Sequence, residues 1–184
     1  TDAGNNVSTV AGNVTGAVSF KDGGAITVGT VNTAGMTSGG FTLTSLASGA
    51  INVNNAITTT AGGSVTLVNS GTLNVAADIS SDGVVSQTGA GGISTSGART
   101  VSTTGDSISL AKALTIASGS LSLDATSGGN SSGSDIQLSA AVTGGGNPLT
   151  LNAGSGGNVV LSSSASSLSS FTITNSNNVN LASL

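Results

Sequence analysis

Val18-Ser19-Phe20 is a tripeptide with apolar residues at both ends and a polar residue between them, and this arrangement recurs along the chain. Its next two counterparts are Phe41-Thr42-Leu43 and Val65-Thr66-Leu67, so the starting position advances in two nearly equal steps. A second series has a similar step and consists of Ile26-Thr27-Val28, Ile51-Asn52-Val53 and Leu73-Asn74-Val75. Two interleaved series with one shared period are typical of a solenoid, in which each repeat forms a coil that stacks on the next.

The second half of the chain continues this pattern with one longer step. Its first series consists of Ile108-Ser109-Leu110, Ile136-Gln137-Leu138, Val159-Val160-Leu161 and Val179-Asn180-Leu181. Its partner series consists of Leu121-Ser122-Leu123, Leu149-Thr150-Leu151 and Phe171-Thr172-Ile173. In each series the first step is longer than those that follow, and one insertion between Leu123 and Ile136 explains both long steps. The glycine- and serine-rich sequence there predicts a loop at 127–135.

The steps predict an all-β fold: a parallel β-helix of about eight coils, each 20–28 residues long, in one segment spanning 1–184. Alternate side chains of a strand face opposite sides, so the apolar ends of each tripeptide are expected to face inward. The predicted core ladder consists of Val18, Phe20, Phe41, Leu43, Val65, Leu67, Ile108, Leu110, Ile136, Leu138, Val159 and Leu161. In the less regular middle of the chain, the residues that mark strands are Ile79, Val84, Ile93 and Val101.

The alternative fold is a pair of antiparallel β-sandwich domains, which also have short and regularly spaced strands. Such domains usually need a large aromatic core residue, and the chain has neither Trp nor Tyr. The consistent step from one tripeptide to the next also favours the solenoid.

The composition argues against several functions. Charged residues make up 5% of the chain, whereas about 25% is usual. Lys21, Arg99 and Lys112 are the only basic residues, and this is too little positive charge for a nucleic-acid binder. Without a long apolar run the chain is not expected to insert into a membrane. Because no signal peptide opens the sequence and the repeat pattern begins at once, we interpret the chain as part of a longer repeat protein.

The seven acidic residues are all aspartates, and three of them are expected to occupy equivalent corners just before predicted strands: Asp82, Asp106 and Asp135. Asn158 and Asn178 precede later strands in a similar way. A row of carboxylates along one edge could bind Ca²⁺ or supply the paired acids of a polysaccharide-cleaving β-helix. Alternatively, these side chains close the turns between coils, and the exchange of Asp for Asn favours this interpretation. We therefore expect no catalytic residue, no cofactor and no metal.

Several stretches resemble a module of very large bacterial surface exoproteins of the filamentous-haemagglutinin type. They include Asn5-Asn6-Val7-Ser8-Thr9, the sequence from Val14 to Asp22, Gly97-Ala98-Arg99-Thr100-Val101 and Leu149-Thr150-Leu151-Asn152-Ala153-Gly154. The resemblance is one of repeat texture and covers nearly the whole chain. It implies a right-handed parallel β-helix, secretion across the outer membrane, and a role as an adhesin or a matrix filament.

Together these observations predict an extracellular or cell-surface structural filament or matrix protein that is not an enzyme. One alternative is an adhesin that binds a surface glycan or a protein receptor through its inserted loop, and a β-helix carbohydrate enzyme is a less favoured one. The pattern of apolar residues continues to both ends of the chain. The predicted partners are therefore a second copy of the chain, stacked end to end, or the rest of a parent chain.

Overall fold

A computed structural model describes residues 5–184 of the chain, so residues 1–4 of the predicted segment lie outside the described part. The described part contains one helical turn, at Ser127–Gly129. The strands in chain order are β1 (Thr9–Val10), β2 (Gly12–Asn13), β3 (Val18–Asp22), β4 (Ile26–Val28), β5 (Met36–Ser38), β6 (Phe41–Ser45), β7 (Ile51–Val53), β8 (Ile57–Thr59), β9 (Val65–Asn69), β10 (Leu73–Val75), β11 (Ile79–Ser81), β12 (Val85–Gly89), β13 (Ile93–Thr95), β14 (Arg99–Thr103), β15 (Ile108–Leu110), β16 (Leu114–Ile116), β17 (Leu121–Asp124), β18 (Ile136–Leu138), β19 (Val142–Asn152), β20 (Asn158–Asn175) and β21 (Asn178–Ser183).

The strands pair in parallel with their equivalents in the next coil and form three faces. Face 1 follows the order β3, β6, β9, β12, β15, β18, β20 and β21. Face 2 follows the order β1, β4, β7, β10, β13, β16, β19 and β20. Face 3 follows the order β2, β5, β8, β11, β14, β17, β19 and β20. The predicted all-β parallel solenoid of about eight coils is thereby confirmed.

The core lies between the three faces and consists of stacked apolar side chains. Ten of the twelve residues of the predicted ladder are buried, and each pairs with its predicted neighbour along face 1. Leu138, for example, is 1% exposed and lies between Leu110 and Leu161. Val18 and Phe20, in the first strand of face 1, are half-buried and pack against the core.

The two series of apolar tripeptides belong to three faces rather than two. In the first half of the chain, the series that begins at Ile26 lies on face 2. In the second half, the series that begins at Leu121 lies on face 3. The sequence alone suggests one continuing partner series, because both sets have the same period.

One strand of the irregular middle begins one residue later than its sequence predicts. Val85, not Val84, occupies the core position, with 2% of its surface exposed. The reason is the alternation through the preceding corner, where Ser81 and Gly83 already face inward. The next inward position of this strand is Gln87, a polar residue that hydrophobic patterning does not assign to a core.

The long step is present on every face. Ile108 pairs with Ile136 on face 1, Leu114 with Val142 on face 2, and Leu121 with Leu149 on face 3. The extra residues therefore lie between β17 and β18, at the corner that joins face 3 to face 1. This is the position of the predicted loop at 127–135.

Candidate functional site

The three aspartates that were candidates for a metal site do not form one row. Asp82 lies next to Thr104 of the following coil, because Ser81 pairs with Thr103. The backbone carbonyl of Asp135 accepts a hydrogen bond from the N–H of Ile108, so Asp135 is level with the residue just before Ile108. Asp106 lies two residues before Ile108 and is therefore level with neither of the other two aspartates. Among residues 5–184, no three acidic side chains lie close enough to share a metal ion.

Asp135 begins a ladder of side chains along the corner between face 3 and face 1. Its Oδ1 atom accepts hydrogen bonds from both the backbone N–H and the side-chain Nδ2 of Asn158, each 2.8 Å long. Asn158 in turn accepts a hydrogen bond of 3.0 Å from Nδ2 of Asn178 through its own Oδ1. The ladder therefore connects three successive coils, and amide side chains serve in it as well as a carboxylate.

Asp82 connects the coils on both sides of it. Its Oδ2 atom accepts a hydrogen bond of 2.8 Å from the backbone N–H of Gly62, and its Oδ1 atom accepts one of 2.7 Å from the hydroxyl of Thr104. These hydrogen bonds, chiefly the one from Gly62, lower the pKa of the Asp82 carboxyl below its ordinary value because they favour the charged form. This carboxylate therefore caps a turn.

Two further aspartates bind the backbone two residues ahead, which is the geometry of an Asx turn. Asp22 is buried, and its two oxygens accept hydrogen bonds from the backbone N–H groups of Val7 and Gly24, each 2.9 Å long. Asp124 accepts hydrogen bonds from the backbone N–H and the hydroxyl of Thr126 through one oxygen. Asp22 thus joins two segments of backbone, whereas Asp124 stabilises its own turn.

The inserted loop at 127–135 lies along the same corner and is exposed at its tip. Asn130 donates a hydrogen bond of 3.2 Å to the backbone carbonyl of Thr104 in the preceding coil. On the other side, Ser131 and Ser132 accept backbone hydrogen bonds from Ser155 and Gly156 in the following coil. The loop is therefore attached on both sides, and its exposed edge is formed by residues 128–132.

A second projecting loop, at 29–35, was not predicted from the sequence. It folds back on itself through a bridge between Thr30 and Ala34 and a backbone hydrogen bond from Gly35 to Gly29. Val31 at its tip is 66% exposed. The signal that could have revealed it is spacing, because ten residues separate the starts of β4 and β5, whereas six separate those of β7 and β8.

Comparisons with protein-family models, with curated proteins and with solved structures find no match to the chain. The fold itself defines the class to which the chain belongs, which is that of the β-solenoid repeat proteins. In the described part of the chain, no helix is long and apolar enough to cross a membrane.

Proposed function

We propose that this chain is a structural segment of an extracellular filament or matrix and that it has no catalytic role. The observation that carries this proposal is the uninterrupted ladder of parallel strands on all three faces. Eight stacked strands at the usual spacing of about 4.8 Å give a rod about 40 Å long. A rod of this kind can serve as a stiff element of a longer assembly.

The direction of the hydrogen bonds suits a mechanical role. Hydrogen bonds between coils run along the axis of the rod, so tension along this axis loads the bonds of all three faces together. The corner contacts add to them, since Asp82, Thr59 and Asn69 each hydrogen-bond to another coil. Separating two coils therefore requires many hydrogen bonds to break at once.

The acidic side chains support a structural role more than a catalytic one. Asp82 and Asp135 use their carboxylate oxygens to accept hydrogen bonds from backbone N–H groups of neighbouring coils. A pair of catalytic acids in a glycosidase would instead face one another across a substrate cleft. The resemblance to surface exoproteins in repeat texture supports the proposed place outside the cell.

Labelling of the cells that produce the protein tests this proposal. Antibodies against the chain are expected to label intact cells, and electron microscopy is expected to place the label on fibres or on a surface layer. An antibody against a cytoplasmic protein of the same cells is the control for membrane integrity. Labelling that requires permeabilised cells would contradict an extracellular role.

A second candidate function is adhesion through the loop at 127–135. The observation that favours it is that this loop belongs to the longest coil and exposes residues 128–132. A variant with the loop shortened to match the step of the next coil is expected to keep the solenoid and to lack this edge. Beads coated with the wild-type chain should then bind a glycan array or cell surface that beads with the shortened variant do not bind. Equal binding by both would exclude the loop as the receptor site.

A further inference from the structure

Buried polar side chains are confined to the first part of the rod. Within residues 5–184, the polar and charged side chains that are buried are those of Asp22, Ser38, Ser45, Thr59, Asn69, Ser81, Gln87, Thr95, Ser102 and Thr103. In the described chain beyond Thr103, the buried side chains are those of isoleucine, leucine, valine and alanine. The rod thus has two kinds of core, and the change between them occurs near residue 103.

The coil at this change, the intermediate coil (residues 85–103), buries fewer apolar side chains than the two coils on either side of it. Its buried apolar residues are Val85, Ile93 and Val101. The two preceding coils, at 41–59 and 65–81, bury five apolar side chains each. The two following coils, at 108–125 and 136–153, bury seven and six. Among these five coils, the intermediate coil therefore gains the least from apolar burial.

Two inward positions of the intermediate coil hold polar side chains. Gln87 lies between two leucines of the ladder on face 1, and Thr95 lies between Val75 and Ile116 on face 2. The hydroxyl of Thr95 is buried without a hydrogen-bond partner. An apolar cavity of about 20 Å³ borders both side chains and reaches core residues of the coils before and after them. Because side chains that line a void lose dispersion contacts, apolar contact between the two parts of the rod is reduced here.

Hydrogen bonds, in contrast, continue through the intermediate coil. Its strands pair with the coils on both sides on all three faces. The side chain of Gln87 adds a polar link, since its Nε2 atom donates a hydrogen bond of 2.6 Å to Asn69 and its Oε1 atom accepts one of 3.2 Å from the backbone N–H of Ala111. The coil therefore joins the two parts mainly through hydrogen bonds, and each of these contributes less net stability than a buried leucine.

In a repeat protein each coil contacts only its neighbours, so a weak coil can divide the repeats on its two sides into units that unfold separately. We infer that this rod consists of two cooperative units that meet at the intermediate coil, and that the first unit opens while the second remains folded. The first unit comprises the coils before Val85, and the second comprises the coils from Ile108 onward. The first is the weaker unit because its core contains buried polar side chains in place of apolar ones.

Opening of this kind makes the chain an extensible element. A folded coil adds about 4.8 Å to the length of the rod, whereas each unfolded residue spans up to about 3.3–3.6 Å. The first unit can therefore lengthen many-fold while the chain stays intact and the second unit remains a rod. This inference goes beyond the proposed function and does not depend on the place where the protein acts.

Hydrogen exchange at increasing urea, measured by mass spectrometry, tests the inference because it reports the opening of each strand separately. In the wild type, the amides of β6 to β9 are expected to exchange at lower urea than those of β15 to β18. Leu43→Ala and Leu138→Ala are matched variants, since both leucines lie on face 1, are at most 1% exposed and belong to different units. Leu43→Ala should lower only the first midpoint and Leu138→Ala only the second, each by about 1–2 M urea.

Thr95→Val tests the position of the boundary. It removes the buried hydroxyl that has no partner, so it should strengthen the intermediate coil and raise the first midpoint toward the second. Thr115→Val, on the exposed side of the next strand of face 2, should leave the separation of the midpoints unchanged. An unchanged separation in Thr95→Val as well would overturn the assignment of the boundary to this coil.

Exchange of all these amides at one urea concentration would overturn the inference, and so would a leucine variant that shifts both sets of amides equally. Where an alanine variant does not fold, the milder Leu43→Val or Leu138→Val takes its place in the same comparison. These results are separate from the test of the proposed function. A rod that unfolds in one step but is located outside the cell would leave that proposal in place and remove only this inference.

Discussion

The first coils and the last coils of the rod close their corners with different chemistry. In the first three coils the strands of face 1 have five residues, and the fifth side chain is polar and buried: Asp22, Ser45 and Asn69. The later strands β15 and β18 have only three residues each and end at Leu110 and Leu138. Four positions after each of these leucines, the chain places a core residue of face 2. The second arrangement buries no polar side chain at this corner.

The corner between face 3 and face 1 changes in the same way. In the earlier coils its inward position holds a buried hydroxyl, in Ser38, Thr59, Ser81 and Thr103. In the later coils alanine occupies this position, at Ala125 and Ala153, and neither is measurably exposed. The later strands of face 3 also add an inward apolar residue, at Leu121 and Leu149.

The difference shows that one backbone corner can be closed in two ways. Asn69 donates hydrogen bonds from Nδ2 to the carbonyl oxygens of Gly71 and Gly91, at 2.7 and 3.0 Å. At this corner a side chain thus supplies the donor for two backbone carbonyl groups. A hydrogen bond of this kind contributes roughly 1 kcal/mol net, whereas burying a leucine side chain contributes about 1.5–3 kcal/mol. We therefore expect the later coils to be the more stable part of the rod.

The coil between the two regions combines features of both. Gln87 occupies the ladder position between Leu67 and Leu110, and its Nε2 atom donates a hydrogen bond of 2.6 Å to Asn69. Thr95 lies at a core position of face 2, where its hydroxyl is buried and has no hydrogen-bond partner. A small apolar cavity of about 20 Å³ borders both side chains. The packing around these two side chains is therefore incomplete.

The largest expected effect comes from charging the apolar ladder of the later coils. Leu138→Asp places a carboxylate between Leu110 and Leu161, so it should lower the free energy of unfolding by several kcal/mol or unfold the coil. Gln137→Lys, one residue earlier on the exposed side, should change it by about 0.5 kcal/mol or less. Urea denaturation followed by circular dichroism measures both, and equal effects would contradict the register.

Most of the fold follows from the spacing of apolar residues. The steps along face 1 identify its strands from Val18 to Val179 except β12, because a solenoid repeats one strand per coil and alternation sets the inward side. The third face was harder to identify. In the first half its inward residues after Met36 include Ser38 and Thr59, and hydrophobicity does not mark these as core.

The polar contacts could be predicted only in part. A turn role for the aspartates is consistent with their frequent exchange for asparagine, and the ladder from Asp135 to Asn178 contains both. The partners of these side chains are 20–23 residues away in sequence and depend on the register between coils. The sequence does not determine this register at Asp82. The apolar pattern marks Val84 as the start of the following strand, whereas that strand begins at Val85.

The second prediction tests the buried polar corner of the earlier coils. Asn69→Ala removes the hydrogen bonds to Gly71 and Gly91 and leaves Nε2 of Gln87 without its closest acceptor. We expect the free energy of unfolding to fall by about 2 kcal/mol, since buried groups lose their partners. Asn74→Ala is the control, because Asn74 is half-exposed and makes one hydrogen bond, to Asn52. If the control costs as much, burial is not the cause.

The third prediction concerns the intermediate coil and has the opposite sign. Thr95→Val replaces a buried hydroxyl that has no partner with a methyl group of similar size. It should raise the free energy of unfolding by about 1 kcal/mol and move this coil toward the chemistry of the later ones. Thr115→Val, on the exposed side of the neighbouring strand, should have little effect. A destabilised Thr95→Val variant would mean that the hydroxyl has an acceptor or a buried water.

The smallest effect is expected at Asp82, on the exposed corner. Its hydrogen bonds lower the pKa of the carboxyl in the folded chain, so they stabilise the fold above the ordinary pKa of 3.8. This contribution is lost as the pH falls through the lowered value. Asp82→Asn should therefore melt slightly below the wild type at neutral pH, and the difference should vanish in acid. EDTA should change neither melting temperature, because these contacts need no metal. A drop on adding EDTA would contradict the interpretation of Asp82 as a turn cap.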